Sequence, residues 1–253
     1  LSRLTTEEGY LIKSLDPDGI RHGVHGAEKH GYFESSPNHD AMAFRVVDDE
    51  QARRIMDKIV SIPALRPHDV ILPNAPGLDD MYEPDTSWLW QFGTWVNGGH
   101  WSTCEARMVL AYYRLGAYAD AARSVEHMLA FARKFRMDNP LVDFGAAVYQ
   151  PKEPVNLCYD SFGPMAAFIR GLFEYVYNAE GVRLYPHIPP AVTALTQRFP
   201  IRIGEKRLYL GTKGAGSITA VRVNGKEVGG FDARSVQLSF DALPDRSEEH
   251  TSE

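Results

Sequence analysis

The sequence lacks the features of several large protein classes. It has only two cysteines, Cys104 and Cys158, in 253 residues, which is too few for a disulfide framework, and neither has the spacing of a metal site. We expect both to be buried free thiols. No apolar run approaches the length of a membrane span, so we expect no segment that crosses a bilayer.

Positive charge is also scarce. The chain has 27 lysines and arginines against 33 aspartates and glutamates, a net charge of −6. A phosphate-binding face needs a surplus of Lys and Arg, so we do not expect a nucleic-acid partner. Glycine-rich phosphate cradles and the G-x-S-x-G nucleophile elbow are absent as well.

Both ends of the sequence read as artificial. The chain begins at Leu1 rather than Met, in what reads as the middle of a domain, and residues 246–253 match the translation of a common sequencing adapter. We therefore expect residues 246–253 to be non-native and the chain to be a C-terminal fragment of a longer protein.

Three segments share one pattern, in which a polar, aromatic-rich loop is followed by an amphipathic helix, a tight turn and a second helix. In the first, the loop at 30–40 leads into a predicted helix at 41–47, and Asp48 then caps a second helix. In the second, a loop ending at Trp101 precedes a helix that stops at Gly116. Its outer partner begins near Tyr118.

The third segment begins with a loop that ends at Pro164, a residue suited to a first helical turn. The helix behind it carries an apolar stripe from Met165 to Val176. Connections within hairpins are short, whereas those between hairpins, at about 61–99 and 136–160, are long. Because hairpins alternate in direction, all long loops are predicted at one end of the bundle, which favours a functional site there.

After Asn178 the apolar pattern changes to a period of two, which predicts a small antiparallel β-domain. Asn224-Gly225 is a strong hairpin turn. The fold class predicted is thus mainly α with a C-terminal β-domain, divided at 1–179 and 180–245. Candidate strands are 182–185, 198–203, 206–210, 218–223 and 235–240.

Aromatic residues cluster before and at the second inner helix. They can pack a long loop, or they can form a platform on which sugar rings stack while nearby amides bind hydroxyl groups. Gly98 and Gly99 would let the backbone approach such a ligand closely. The candidate substrate-binding residues are Trp90, Trp95, Asn97, His100 and Trp101, together with Tyr32 and Asn38 from the first loop.

Carboxylates on the long-loop face suggest acid–base chemistry. Glycoside hydrolysis needs two, one to protonate the leaving oxygen and one to activate water or attack carbon. Asp40 can also cap a helix, Glu105 can interact with a helix dipole, and Glu34 can accept hydrogen bonds within its loop. The candidates on this face are Glu34, Asp40, Glu105, Glu153 and Asp160.

The histidines do not have the spacing of a metal site, so neither a metal nor a cofactor is predicted. The residues concerned are His22, His25, His30, His39 and His100. Structural or sugar-binding roles are the interpretation that we favour for them.

Two stretches resemble a known superfamily. The Asn-Gly-Gly sequence at 97–99, before a helix ending in Tyr-Arg-Leu-Gly at 113–116, resembles the six-hairpin (α/α)6-barrel glycosidases. The run at 181–190 and the segment 202–209 are similar to the β-domain of the cellobiose-phosphorylase-like and trehalase-like branch. The resemblance implies a partial (α/α)6 toroid followed by a truncated antiparallel β-sandwich.

The resemblance further implies a glycoside hydrolase of inverting type that acts on an oligosaccharide or glycoside. Thr103 stands where phosphorylases of this branch carry a histidine, so hydrolysis is favoured over phosphorolysis. Glu153 or Asp160 would be the base and Glu34 a candidate acid. A polysaccharide lyase using Tyr32, His100 and Asn97, and a non-catalytic sugar-binding scaffold, remain alternatives.

Overall fold

A computed structural model of the chain describes residues 1–66, 69–78, 92, 96–99, 101–134, 163–241 and 243. These residues form a mixed α and β protein rather than a mainly α one, and they divide into two compact units, Leu1–Phe168 and Ile169–Glu253. The helices are α1 (Ser35–Ala43), α2 (Asp49–Val60), α3 (Ser102–Leu115), α4 (Tyr118–Lys134) and α5 (Gly163–Leu172).

The first unit contains α1 to α4, in which α1 packs on α2 and α3, and α3 packs on α4. Its two-residue strands pair as two short antiparallel ladders, β1 (Ser14–Leu15) with β2 (Arg21–His22) and β3 (Phe33–Glu34) with β4 (Asn74–Ala75). The buried core is built from apolar residues of the four helices, of β3 and β4 and of the segments next to the strands, among them Ile12, Phe33, Met42, Ile55, Ile59, Ile71, Met108 and Val109.

The first helix lies earlier in the chain than the sequence pattern predicts. A loop through Asp40 and a helix at 41–47 were expected, but α1 starts at Ser35 and ends at Ala43. Pro37 is tolerated in the first turn because the N–H groups there have no partner within the helix. The helix cannot continue because Arg45 has a positive φ of 55°. The expectation that Asp40 caps a helix is therefore wrong, since Asp40 lies inside α1.

The start of α2 and the end of α3 lie at the residues that the sequence predicts. Asp48 is the N-cap of α2, and its side chain accepts a hydrogen bond from the N–H of Gln51 at 2.8 Å, as predicted. Gly116 ends α3 in the left-handed conformation, with φ 77°. Only Gly116 and Ala117 separate α3 from α4, which confirms the tight turn.

Arg114 joins the C-terminal ends of α1 and α3. Its guanidinium donates to the carbonyl oxygens of Met42 at 2.6 Å and Val47 at 2.7 Å, and Nε donates to Asp49 Oδ1 at 2.9 Å. The last turn of α3 therefore lies beside the last turn of α1 and the turn that leads into α2.

The second unit is mostly β. Its main sheet has the order β13–β6–β5, in which β5 (Phe173–Asn178) pairs antiparallel with β6 (Gly181–Pro186) over six residues and β13 (Val236–Ser239) pairs with the other edge of β6. The described residues of the unit also form three two-stranded ladders. They pair β7 (Ala194–Thr196) with β10 (Gly211–Lys213), β8 (Ile201–Ile203) with β9 (Lys206–Leu208), and β11 (Arg222–Val223) with β12 (Lys226–Glu227).

The apolar stripe that predicts a helix as far as Val176 is wrong in its second half. The helix α5 ends at Leu172, and the next six residues form β5. Phe173, Tyr175, Val176 and Tyr177 are strand-favouring residues, and pairing with β6 satisfies their backbone groups. The boundary between the two units consequently falls after Phe168, inside α5, rather than at the predicted position of 179/180.

The remaining strand predictions are met in part. Strands occur within 182–185, 198–203, 206–210 and 235–240, whereas only Arg222–Val223 is a strand within 218–223. Asn224 and Gly225, with φ of 50° and 77°, form the predicted hairpin turn between β11 and β12. The strands β5, β7, β10 and β12 were not anticipated.

Candidate functional site

Asn74 connects the segments that lead into α1 and α3. It pairs in backbone register with Glu34, the residue that directly precedes α1. The fully buried side chain of Asn74 accepts a hydrogen bond from the N–H of Gly98 at 2.8 Å and donates to Asn97 Oδ1 at 3.0 Å. The N-terminal ends of the two helices are thereby joined, so α1 and α3 run parallel.

The Asn97 side chain is nearly fully buried, at 2% exposure. Its oxygen accepts two hydrogen bonds, from Asn74 Nδ2 and from the N–H of Leu78 at 2.9 Å. Asn97 was predicted to bind substrate through its amide. Because Oδ1 is committed to the fold and the side chain is buried, the described residues give Asn97 a structural role.

Phe92 lies against two glycines beside this amide pair. A Cβ atom at Gly98 would come within 2.5 Å of the Phe92 ring, and one at Gly77 within 3.2 Å of Phe92 Cβ. Gly98 also has a positive φ of 78°. The close approach that the glycines at 98–99 were expected to offer a sugar is therefore made at Gly98 by an aromatic side chain, which remains 53% exposed.

The Glu105 carboxylate has partners on both of its oxygens. It is fully buried and forms a two-point ion pair with Arg66, with Nη1–Oε2 at 3.0 Å and Nη2–Oε1 at 2.9 Å. It also accepts hydrogen bonds from the N–H of Ile71, at 2.8 Å, and from the Ser124 hydroxyl. Burial acts to lower the pKa of Arg66, but the adjacent Glu105 carboxylate outweighs it and raises that pKa. Glu105 therefore holds α3, α4 and the segment before β4 together and has no oxygen left for acid–base chemistry.

A second ionic cluster connects α1 to α3. Asp40 Oδ1 lies 3.0 Å from His39 Nδ1 and 3.2 Å from Arg107 Nε. Burial acts to raise the pKa of Asp40, but the hydrogen bond from His39 and the Arg107 charge lower it on balance. Asp40 is thus held as a carboxylate, while His39 Nε2 is buried without a hydrogen-bond partner among the described residues.

Cys104 lies in the first turn of α3, in a negatively charged environment. Burial raises the pKa of its thiol to about 12, and the negative charges of Glu34, Glu105 and Asp40 add to the effect. Cys104 is a free thiol, as expected, but it is half-buried rather than fully buried. Asp40 also lies near the start of α3, since it contacts Arg107 at 3.2 Å.

The other predicted site residues fall into three groups. Trp101 is the N-cap residue of α3, and its carbonyl oxygen accepts a hydrogen bond from the N–H of Cys104 at 3.1 Å. Tyr32 is buried, with Lys13 Nζ 5.2 Å from its ring centroid. Trp90, Trp95, His100, Glu153 and Asp160, like Cys158, lie outside the described residues.

Asn38 belongs to the core rather than to an open surface. Its side chain accepts from the N–H of Leu11 at 2.8 Å and donates to the carbonyl oxygens of Leu11 and Glu34, both at 2.8 Å. These bonds hold the N-terminal segment against α1. The geometry gives Asn38 a structural role in place of the predicted contact with substrate.

The sequence analysis missed the residues that organise this site, namely Asn74, Arg66 and Arg107. None of them stands in a motif, and the signal that identifies them is the presence of complementary polar partners. Among the described residues there is no group of three or more His, Cys, Asp or Glu side chains that could hold a metal ion. None of the described helices combines the length and hydropathy that a bilayer crossing requires.

The sequence was compared with models of known protein families, and none matches it. A comparison with curated proteins likewise finds no match.

Proposed function

We propose that the chain is part of a six-hairpin glycoside hydrolase that cleaves a glycosidic bond by acid–base catalysis with inversion, and that α1 to α4 belong to its (α/α)6 toroid. In this proposal the second unit is the β-sandwich that follows the toroid. Glu34 acts as the acid, and Glu153 or Asp160 as the base. The substrate is an oligosaccharide or glycoside, bound by aromatic and amide side chains.

The arrangement of the helices supports the toroid. The parallel helices α1 and α3 are each followed by a short turn and a second helix, α2 and α4. The long connection from Ser61 to Trp101 returns the chain to the end at which α1 began. Repetition of that unit is the construction of a helical-hairpin toroid, with its long connections at one end.

The position of Glu34 carries the functional part of the proposal. Its carboxyl group is at the end where α1 and α3 begin, in register with Asn74 and close enough to Cys104 to affect its pKa. Half-exposed Phe92 belongs to the same region. A carboxyl group near an exposed aromatic ring fits the stacking of a sugar and the protonation of a glycosidic oxygen.

The burial of Glu105 and Tyr32 argues against two other assignments, Glu105 as the acid and Tyr32 as the catalytic group of a lyase. Glu105 has no free oxygen, so Glu34 is the better acid of these two. Tyr32 is 1% exposed beneath Lys13, which disfavours the lyase alternative because that mechanism needs an accessible tyrosine. The non-catalytic sugar-binding alternative predicts the same binding without turnover.

The test is hydrolysis of a panel of aryl glycosides and oligosaccharides by the full-length protein and by Glu34→Gln. An acid role predicts a loss of about 10²–10⁴-fold in kcat for the variant, with binding retained. Glu126→Gln, an exposed change of the same kind on α4, is the control and should retain full activity. Either Glu153→Gln or Asp160→Asn should also lose turnover.

Each alternative result has a distinct meaning. Full turnover by Glu34→Gln would remove Glu34 from the mechanism, while retaining hydrolysis as the activity. An unsaturated uronate product would establish the lyase reaction. Binding without turnover in the unmodified protein would establish the scaffold, and absence of both binding and turnover would reject the proposal.

A further inference from the structure

The parallel helices α1 and α3 are each accessible along a single stripe. Six of the nine residues of α1 are buried, and the three others occupy positions i, i+1 and i+4, on one side of the helix. In α3, ten of the fourteen residues are buried, and the others, apart from the terminal Leu115, have the same spacing. The residues of the two stripes are Ser36, Pro37 and Asp40 on α1, and Thr103, Cys104 and Arg107 on α3.

The two stripes meet at Asp40 and Arg107. Arg107 Nε lies 3.2 Å from Asp40 Oδ1, and the side chains of the arginine and the aspartate are 31% and 47% exposed. Phe44, one turn beyond Asp40, is 44% exposed, and the Arg107 guanidinium lies over its ring, with Cζ 5.2 Å from the centroid. An accessible ion pair beside an aromatic ring therefore occupies the open side of two otherwise buried helices.

Both members of this pair keep hydrogen-bonding capacity that the fold does not use. His39 Nδ1 and Arg107 Nε both approach Oδ1 of Asp40, so Oδ2 accepts no hydrogen bond from the described residues. The contact with Asp40 is made through Nε, and the two Nη groups of Arg107 donate to no other described residue. A carboxylate can accept several hydrogen bonds and a guanidinium has five N–H donors. A ligand here would therefore meet an acceptor and several donors side by side.

The charges of the pair indicate which ligand fits. An anion would be repelled by Asp40 and a cation by Arg107, because the two charges lie 3.2 Å apart and compensate each other. A neutral ligand with hydroxyl groups on neighbouring carbon atoms can instead donate to the carboxylate and accept from the guanidinium at the same time. A sugar ring carries hydroxyl groups in this arrangement.

We propose that Asp40 and Arg107 bind two neighbouring hydroxyl groups of one sugar ring of the substrate. Asp40 Oδ2 accepts from one hydroxyl, and the Nη groups of Arg107 donate to the other. His39 and Phe44 are positioning residues, since they contact the carboxylate and the guanidinium. This inference rests on the proposed function, because it names residues that hold the substrate of that reaction, and neither Asp40 nor Arg107 is a carboxylate assigned to catalysis.

The test is an NMR titration of the complete chain with the methyl glycosides of glucose, galactose, mannose, xylose, arabinose and rhamnose. Asp40→Asn and Arg107→Met should each weaken the sugar that binds by at least about tenfold, the loss expected for a hydrogen bond to a charged group. Arg107→Lys should weaken it as well, because an ammonium lacks the planar set of donors. Asp57→Asn and Arg53→Met, changes of the same kind at exposed positions of α2, are matched controls and should bind as the unmodified chain does.

Monodeoxy analogues of the bound sugar separate contact with the ligand from a structural role. The analogue that lacks the hydroxyl bound by Asp40 should bind the unmodified chain at least about tenfold less tightly than the parent sugar. Asp40→Asn should bind the parent sugar and this analogue equally. A substitution that only disturbs the fold would weaken both by the same factor.

The inference is overturned if no glycoside binds, if Asp40→Asn weakens the parent sugar and every deoxy analogue by the same factor, or if the α2 controls lose as much affinity. These results differ from a failure of the proposed function. Hydrolysis that Glu34→Gln abolishes, with unchanged binding by the Asp40 and Arg107 variants, would reject this inference alone. Binding through the pair without turnover would reject the hydrolase and leave the inference standing.

Discussion

Arg66 and Glu105 face each other through two nearly equal contacts, of 3.0 and 2.9 Å, with the carboxylate fully buried. The two N–H groups of a planar guanidinium match the two oxygens of a carboxylate in this way. The pair lies where α3, α4 and the segment before β4 meet. The carboxylate also receives a backbone N–H and a hydroxyl group, so its charge is compensated by four donors. Breaking a buried ion pair lowers the free energy of unfolding mainly because the remaining charge is left buried without a partner.

We therefore expect Glu105→Gln to be strongly destabilising. The amide removes the charge opposite a largely buried Arg66 and replaces one acceptor with a donor that faces the guanidinium. The loss should be about 3–5 kcal/mol in the free energy of unfolding, measured by urea denaturation. Glu126→Gln, on the exposed side of α4, should change it by less than about 0.5 kcal/mol. Similar stabilities for the two variants would contradict the role assigned to Glu105.

Asn74 and Asn97 use their side-chain amides differently, since Asn74 donates to Asn97 and Asn97 accepts. Replacing each with aspartate tests the two roles separately. Asn97→Asp keeps Oδ1 as the acceptor for Asn74 and Leu78, whereas Asn74→Asp loses the donations to Asn97 and to the carbonyl oxygen of Pro76. We expect Asn74→Asp to lower the free energy of unfolding by about 1–3 kcal/mol.

Asn97→Asp should cost less stability, because both donors to Oδ1 keep an acceptor. Thermal unfolding of both variants makes the comparison. Equal destabilisation by the two changes would mean that the hydrogen bonds donated by Asn74 add little to the stability of the fold.

The lowered pKa of Asp40 predicts that the free energy of unfolding decreases at acid pH. Its pKa is lowered in the folded chain, because His39 and Arg107 outweigh the effect of burial. The ionised form therefore stabilises the fold above the unfolded pKa, near 3.8, and this contribution is lost as the pH falls through the lower folded value. The side chain is about half exposed, so we expect less than about 1 kcal/mol.

Urea unfolding at pH 6 and at pH 3 should show a smaller decrease for Asp40→Asn than for the unmodified chain. Asp57→Asn, on α2, is a control without a resolved ion pair. If Asp40→Asn showed the same decrease as the unmodified chain, the cluster of Asp40 with His39 and Arg107 would not stabilise the folded state.

Local signals in the sequence predicted those parts of the fold that depend on a few neighbouring residues. The N-cap at Asp48, the end of α3 at Gly116 and the turn at Asn224-Gly225 all rest on the conformation of one or two residues. The strand β5 could not be predicted in the same way. Phe173 and Val176 fit a helical stripe as well as a strand, and only pairing with β6 decides between them.

The candidate site, too, was predicted only where nearby residues in the sequence determine it. Loop lengths predicted that Glu34 and Asn97 would lie at one end of the bundle, and the structure has both there. Asn74 connects them through partners 23 and 24 residues away, Asn97 and Gly98, and no pattern in a single sequence marks such a pairing. The role of Glu105 was also missed, because its position in a first turn suggested a dipole interaction rather than a buried ion pair.

The two ties between α1 and α3 restrict how this part of the molecule can move. Asn74 fastens the beginning of the helices, and Arg114 fastens their ends through Met42 and Val47. With both ends anchored, one helix cannot slide along the other by a turn without breaking several buried hydrogen bonds. Any adjustment of the Glu34 end to a ligand must therefore come from bending or rolling of the helices, or from the connecting loops, and not from longitudinal shear.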